Sequence, residues 1–448
     1  MAFSGRASPR ESRTAAWLRS ILAVAAILIT TSARAADLAT EVKSALPVVQ
    51  DAYVFLHTHP ELGKQEFKAH DFLKRRLAEM GYSQFVASQL APTAVIAVVE
   101  TGRPGPVVAL RAEMDARPLP DNANEPAGHV PRSGVPGVMH SCGHDVHAAI
   151  LLGAAQILIR NTDKLKGKIV ILFQPAEETP GGADDIVNER ILDRLGVEMI
   201  FAEHSAPGLP VGTVAVSPGP VLAGSNYFSL TLQGRSAHAA APSDGDEVLL
   251  SSARIIEALS DAPARRIDLA QRPVIVSVTK FVADGGARNV LPSQVDALGT
   301  LRAFEDPKIA PPGATSIESI LTRELDGLSK AYGLTYAWRL DPGSPPTVND
   351  AQLFGAVIPP LSAAFPGRID TAPHKGMFSE DFAYYTPHYQ ALYFSLGIAK
   401  DGLGRGNVHT ADFTVHPDAF AYGLQLMTLL VEIGATGRGD WRTLPAAP

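Results

Sequence analysis

The chain has 448 residues, more than the roughly 250–300 at which a single hydrophobic core stops growing, so at least two folding units are expected. Hydrophobic residues make up 46% and charged residues 19%, which excludes a largely disordered chain. The net charge of −7 is a poor match to nucleic-acid phosphates, and the single cysteine, Cys142, excludes an intrachain disulfide.

Residues 1–35 read as an export signal. Arg6, Arg10, Arg13 and Arg19 precede the apolar run Ile21–Ile29, and Ala33-Arg34-Ala35 fits a small-x-small cleavage site. The apolar run is too short to span a bilayer. We therefore expect a periplasmic or secreted protein that starts near Ala36, without a stable membrane anchor after cleavage. Without residues 1–35 the body keeps 34 basic and 45 acidic residues, a net of −11.

From Asp37 the pattern alternates between periods of three to four and two. Helices are predicted over Leu38–His59 and over Ala69–Met80, the latter closed by Gly81. Strands are predicted at Thr93–Val99, Val107–Arg111, Lys168–Phe173 and Met199–Ala202, with an apolar helix over Val146–Ile159. Strands separated by helices imply an α/β fold with a mostly parallel sheet. The pattern changes near Pro220. Strand Tyr227–Leu232, helix Glu247–Leu259, strands Val274–Phe281 and Val295–Arg302, helix Ser316–Tyr332 and strand Leu334–Leu340 give a β-α-β-β-α-β order, which is ferredoxin-like. The α/β pattern then resumes with a helical stretch over Leu353–Phe365, expected to kink or break at Pro359-Pro360, a strand at Ala391–Leu396 and a helix over Ala419–Ile433. Residues 220–342 thus read as a small unit inserted into a larger α/β unit of residues 37–219 and 343–448.

Chemistry-bearing residues fall at the strand-to-helix connections. Cys142 and His144 flank Gly143 just before a helix, and thiol and imidazole are good ligands for zinc-like metals. A cysteine nucleophile with a histidine base is an open alternative. Glu177 and Glu178 follow a buried strand. Adjacent side chains should diverge, so one carboxylate can hold a metal while the other faces a water. His204 and His409 follow two further strands. Ligands of open α/β sheets bind beyond the carboxyl ends of the strands, so these residues should meet at one edge and suit a hydrolytic metal site. Asp115 either orients a ligating histidine or caps a turn, and Asp381 has the same two readings. His57 and His59 read as packing or surface residues. In the inserted unit, His238 lies in Gly234-Arg235-Ser236-Ala237-His238-Ala239 and Asn289 in Arg288-Asn289-Val290-Leu291-Pro292. A lid can bring both over the metals.

Seven segments together give a resemblance: His57–Leu62, Arg111–Asp115, Gly137–Asp145, Gln174–Glu178, Asn289–Pro292, Pro345–Asp350 and Ser379–Phe382. In this order and spacing the chain resembles the M20 metallopeptidases, in their amidohydrolase branch of hippurate hydrolases, N-acyl-amino-acid amidohydrolases and indole-acetyl-amino-acid hydrolases. The resemblance implies a catalytic α/β domain with an inserted lid that is also the usual dimerisation surface, hence a homodimer. It implies two divalent ions per subunit, Zn or Mn, held by Cys142, His144, Glu178, His204 and His409. It gives Glu177 the general-base role, Asp115 a supporting catalytic one, His238 the oxyanion and Asn289 the substrate. Glu113, where this branch usually has Asp, and Arg117, where it usually has Leu, depart from the pattern. The implied reaction is hydrolysis of the amide of an N-acyl amino acid or similar conjugate. A metallo-dipeptidase, a non-catalytic binding protein of the same fold and a thiol hydrolase using Cys142 are the rival readings.

Overall fold

The computed structural model describes residues 37–126, 131–283 and 285–436, so the export segment read in residues 1–35 lies outside the described residues. An eight-stranded sheet runs in the order Gln84–Val86, Val95–Glu100, Lys168–Gln174, Val107–Glu113, Met199–Pro210, Gln390–Ala399, Val214–Ala215, Ile369–Asp370. Its four central members, from Lys168–Gln174 to Gln390–Ala399, are mutually parallel, and Val95–Glu100 joins them antiparallel. Central parallel strands are covered on both faces, which is why they are apolar at nearly every position: Lys168–Gln174 is buried from Ile169 onward.

One face packs against helices 37–58, Phe67–Met80, His144–Arg160, Ala351–Ala364 and Asp418–Thr436. The other carries the short helices Ala183–Asn188 and Ile191–Leu195 and a second apolar cluster. Helix His144–Arg160 is buried at every position from His144 to Ala155, so it runs through the core and brings its N-terminus to the carboxyl edge of the sheet. Among the described residues no helix is long and apolar enough to cross a membrane.

The inserted unit is a four-stranded antiparallel sheet in the order Val274–Ala283, Gln294–Ala303, Gly224–Gln233, Thr335–Pro342. Helices Val248–Arg266 and Ile317–Tyr332 cover one face and share an apolar cluster separate from those of the large sheet. Burial alternates along Gln294–Ala303, so the other face is open. The chain enters this unit through Gly219–Leu222 and returns through Thr347–Asn349, and these two segments pair with each other.

Two expectations need correction. Pro359 and Pro360 do not break their helix, which is continuous from Ala351 to Ala364. Both prolines are exposed, where water can replace the lost amide donors. The Met199 strand does not stop at Ala202 but runs to Pro210, because Gln390–Ala399 continues to pair beside it after Val107–Glu113 has ended.

Candidate active site

Four connections at the carboxyl edge of the parallel strands deliver the donors. The loop through Gly143 (φ 93°), the N-cap, places Cys142 just before the helix and His144 at its first position. The turn after Lys168–Gln174 carries Glu177 and Glu178. His204 projects from its strand just past the stretch that pairs with Val107–Glu113, which ends at Ala202, and is still paired with Ser395 on the other side. His409 occupies a left-handed turn (φ 69°), and its backbone N–H donates to the Ser141 carbonyl (2.7 Å), which ties its loop to that of Cys142.

The donor atoms converge. One atom each of Cys142, His144 and His204 lie within 4.8 Å of one another, as do those of Cys142, Glu178 and His409, and those of His144, Glu177 and Glu178. Cys142 Sγ is 3.5 Å from His204 Nε2, His409 Nε2 is 3.0 Å from Glu178 Oε1, and His144 Nε2 is 3.9 Å from Glu177 Oε2. The expectation that the two glutamates diverge is wrong. Ala176 takes a left-handed conformation (φ 59°), and this kink turns both carboxylates towards His144.

Two of the imidazoles are held from behind. His144 Nδ1 lies 2.9 Å from the Asp115 carbonyl and 3.1 Å from its carboxylate, which leaves Nε2 facing the donors. Asp115 also accepts from the Glu178 backbone N–H (3.0 Å), so one side chain positions a histidine and a carboxylate together. His204 Nδ1 lies 2.9 Å from the Ser205 carbonyl, which directs Nε2 at Cys142. Such contacts fix the tautomer and aim of a ligating histidine.

Charge follows this geometry. Burial alone would push the Cys142 thiol up, but His204 and His144 bring it down to about 6. Burial opposes the charge of His204 and His409, yet Cys142 raises both to about 9, helped by Glu113 at His204 and by Glu178 at His409. Glu178 falls to about 2 against its burial, through His409, His144 and Arg117. Glu177 moves the opposite way, raised well above the carboxylate range by burial and by Glu380 and Asp381. The two neighbouring carboxyls thus shift in opposite directions.

The residues fit two divalent ions. His144 Nε2 is buried without a hydrogen-bond partner, and Glu178 Oε1 is buried with only the His409 ring beside it. Thiolate, imidazole and carboxylate are the donors that borderline divalent ions take. Cys142 belongs to two of the three-donor groups and so stands between them.

The lid residues are elsewhere. His238 and Asn289 face each other at 3.2 Å across a small ribbon formed by Ala237–His238 and Val290–Leu291, and both are exposed. Neither joins the donor groups. Among the residues read as packing or surface, His57 has its Nδ1 2.7 Å from Asp145 and its Nε2 2.5 Å from Glu125, whereas His59 is exposed. Asp381 is buried with Glu380 around the Arg111 guanidinium and accepts from Gln174 (2.7 Å) and from the Ala183 N–H (2.9 Å).

The Peptidase family M20/M25/M40 model matches residues 109–433. The chain belongs to this family. An N-acetyl-L-cysteine deacetylase of Bacillus subtilis is 35% identical over 350 residues, covering 77% of this chain and 79% of that protein. An IAA-amino acid hydrolase of Arabidopsis thaliana is 34% identical over 374 residues, covering 83% and 82%. Among solved structures, the Bacillus subtilis YXEP protein, a dinuclear metal binding peptidase from the M20 family, superposes with a TM-score of 0.74 at 27% identity. That superposition covers 88% of this chain and 99% of that one. The resemblance read from the seven segments is therefore borne out at the level of the family and its amidohydrolase branch.

Proposed function

We propose that this M20-family protein is a metal-dependent amidohydrolase that cleaves N-acyl amino acids or similar small conjugates. The observation that carries the reading is the convergence of Cys142, His144, Glu177, Glu178, His204 and His409 at one sheet edge. The names of the relatives in Bacillus and Arabidopsis support the substrate class. Cys142, His144, Glu178, His204 and His409 would hold two divalent ions, zinc or manganese. Bound ions supply Lewis acidity to the amide carbonyl and make water nucleophilic near neutral pH.

The residues of the chain do the rest. Glu177 takes a proton from the attacking water and delivers it to the leaving nitrogen as the C–N bond breaks. The hydroxyl stays on the acyl carbon, so the products are a carboxylic acid and a free amino acid. Asp115 keeps His144 and Glu178 in register. His238, brought over the site by the lid of the same or a second subunit, would stabilise the oxyanion, and Asn289 would contact the substrate.

Two further parts of the reading are proposals. The protein is exported, with residues 1–35 removed. It is a homodimer through the inserted unit, whose edge strand Val274–Ala283 exposes Ile275, Phe281 and Val282.

The test is turnover of a panel of N-acyl amino acids and dipeptides by metal-free protein to which zinc, manganese or cobalt is added. Hydrolysis of N-acyl amino acids that returns with metal is the expected result. Exclusive cleavage of dipeptides would make the protein a dipeptidase. Full activity after chelation would make Cys142 a nucleophile and overturn the reading.

A further inference from the structure

Beside the donors lies a second set of titratable groups to which the hydrolytic reading assigns no task. Glu113, His147 and Ser205 are all buried. His147 Nδ1 is 2.8 Å from Glu113 Oε2, and Nε2 is 2.8 Å from Ser205 Oγ. The Ser205 backbone N–H also donates to Nε2, at 2.9 Å. An N–H cannot donate to a protonated nitrogen, so Nε2 carries the lone pair and Nδ1 the proton, which goes to Glu113. Glu113 is in turn anchored by the buried Arg111 guanidinium.

Serine, histidine and glutamate in this order have the connectivity of a nucleophilic triad, but the packing excludes that use. A Cβ at position 143 would come within 2.2 Å of Ser205 Oγ and 3.4 Å of His147 Nε2. The hydroxyl is therefore capped by the backbone of Gly143, and no acyl group can reach it. The same packing shows what the set touches. Gly143 separates the donors Cys142 and His144. Ser205 follows His204, and its carbonyl holds His204 Nδ1. His147 is thus wedged between two donor-bearing segments, and its ring lies 4.6 Å, centroid to centroid, from that of His204.

We infer that His147, anchored by Glu113, is a positioning residue that locks the Ser205 peptide and thereby aims His204 at the metal centre. The inference rests on the metal-hydrolase reading and extends it inward from the donors. The reach matters as well: Glu113 is one methylene longer than the aspartate that the resembling branch usually has here.

The test uses the full-length protein with cobalt as probe and two readouts, chelator competition for affinity and the visible thiolate-to-cobalt absorption. Contacts of this kind are typically worth about 10–100-fold in metal affinity. His147→Leu should lose affinity on that scale and shift the absorption band. His147→Gln puts an amide oxygen near the position of Nε2, accepts from Ser205 and should regain most of both. Ser205→Ala keeps the peptide N–H bond and should fall between them. If His147→Leu does not fold, comparing Ser205→Ala with His147→Gln decides by the same readouts. A folded His147→Leu with wild-type affinity and band, or a His147→Gln no better than His147→Leu, overturns the inference alone. Wild-type protein that binds neither cobalt nor zinc overturns the hydrolase reading with it.

Discussion

The sheet edge and the inserted unit hold the two halves of the proposed chemistry in opposite states. At the sheet edge, four of the five donors have a second anchor: Asp115 on the His144 ring and the Glu178 backbone, the Ser205 carbonyl on the His204 ring, and the Ser141 carbonyl on the His409 backbone. In the inserted unit, the exposed His238 and Asn289 side chains meet each other, and His238 Nδ1 accepts from the Ala240 N–H, with no contact to the donors. The difference teaches that the donors of the centre are already gathered, while the substrate contact proposed for the inserted unit would need a movement or a second subunit.

The largest expected effect breaks the sheet-edge half. Glu177→Gln should lower turnover by at least about 10²–10⁴-fold and leave metal content unchanged, since the base is lost and no ligand is touched. Glu178→Gln should lose metal as well as rate, with partial rescue by excess metal. Metal analysis after dialysis, beside turnover of an N-acyl amino acid, checks both. Retained metal in Glu178→Gln and lost metal in Glu177→Gln would reverse the roles.

His238→Ala probes the other half. It should lower kcat by about 10²–10³-fold, the usual contribution of an oxyanion donor, without change in metal content. Near-normal kcat would detach the inserted unit from the chemistry.

A third prediction concerns the cost of crowding charge behind the donors. Both carboxyl oxygens of the buried Glu203 lack a hydrogen-bond partner, and burial, then Glu113, raise its pKa to about 8. The unfolded chain ionises this group near the usual 4.5, while the folded chain keeps its proton up to about 8. Between these values the folded state holds the extra proton, so stability falls as pH rises, by about 1.4 kcal/mol for each pKa unit traversed. Metal-free Glu203→Gln should therefore gain in Tm over the wild type on going from pH 5 to pH 8. A constant difference across that range would contradict the assignment.

The smallest effect sharpens the boundary between the two halves. Arg117 Nη1 lies 3.4 Å from Glu178 Oε2, and its buried Nε lacks a hydrogen-bond partner. Arg117→Leu should raise KM for an N-acyl amino acid severalfold, in line with about 0.2–1 kcal/mol for a partly exposed ion pair, with little change in kcat. Steady-state kinetics on the acid and on its carboxamide will show whether the cation favours the carboxylate.

Much of this was legible in the residues. Alternating periods gave the order of the elements. Cys142, His144, Glu177, Glu178, His204 and His409 were singled out because ligand-type side chains followed four predicted strands. Three features were not legible. The left-handed turn at Ala176, a residue that seldom adopts one, brings Glu177 and Glu178 together, and no sequence period encodes it. The clamp of His57 between Asp145 and Glu125 joins residues 88 and 68 positions apart. The Glu113–His147–Ser205 set was hidden because His147 lies inside an apolar helix, where it reads as core.

Leu222 and Thr347 stand opposite each other in the paired segments through which the chain leaves and re-enters the large sheet. In modular terms the inserted unit is a cassette spliced in at a single point. Its two seams lie one strand spacing apart, so a short turn joining them would restore a continuous chain. The donors of the sheet edge all lie outside the cassette, and their assembly owes no covalent debt to it.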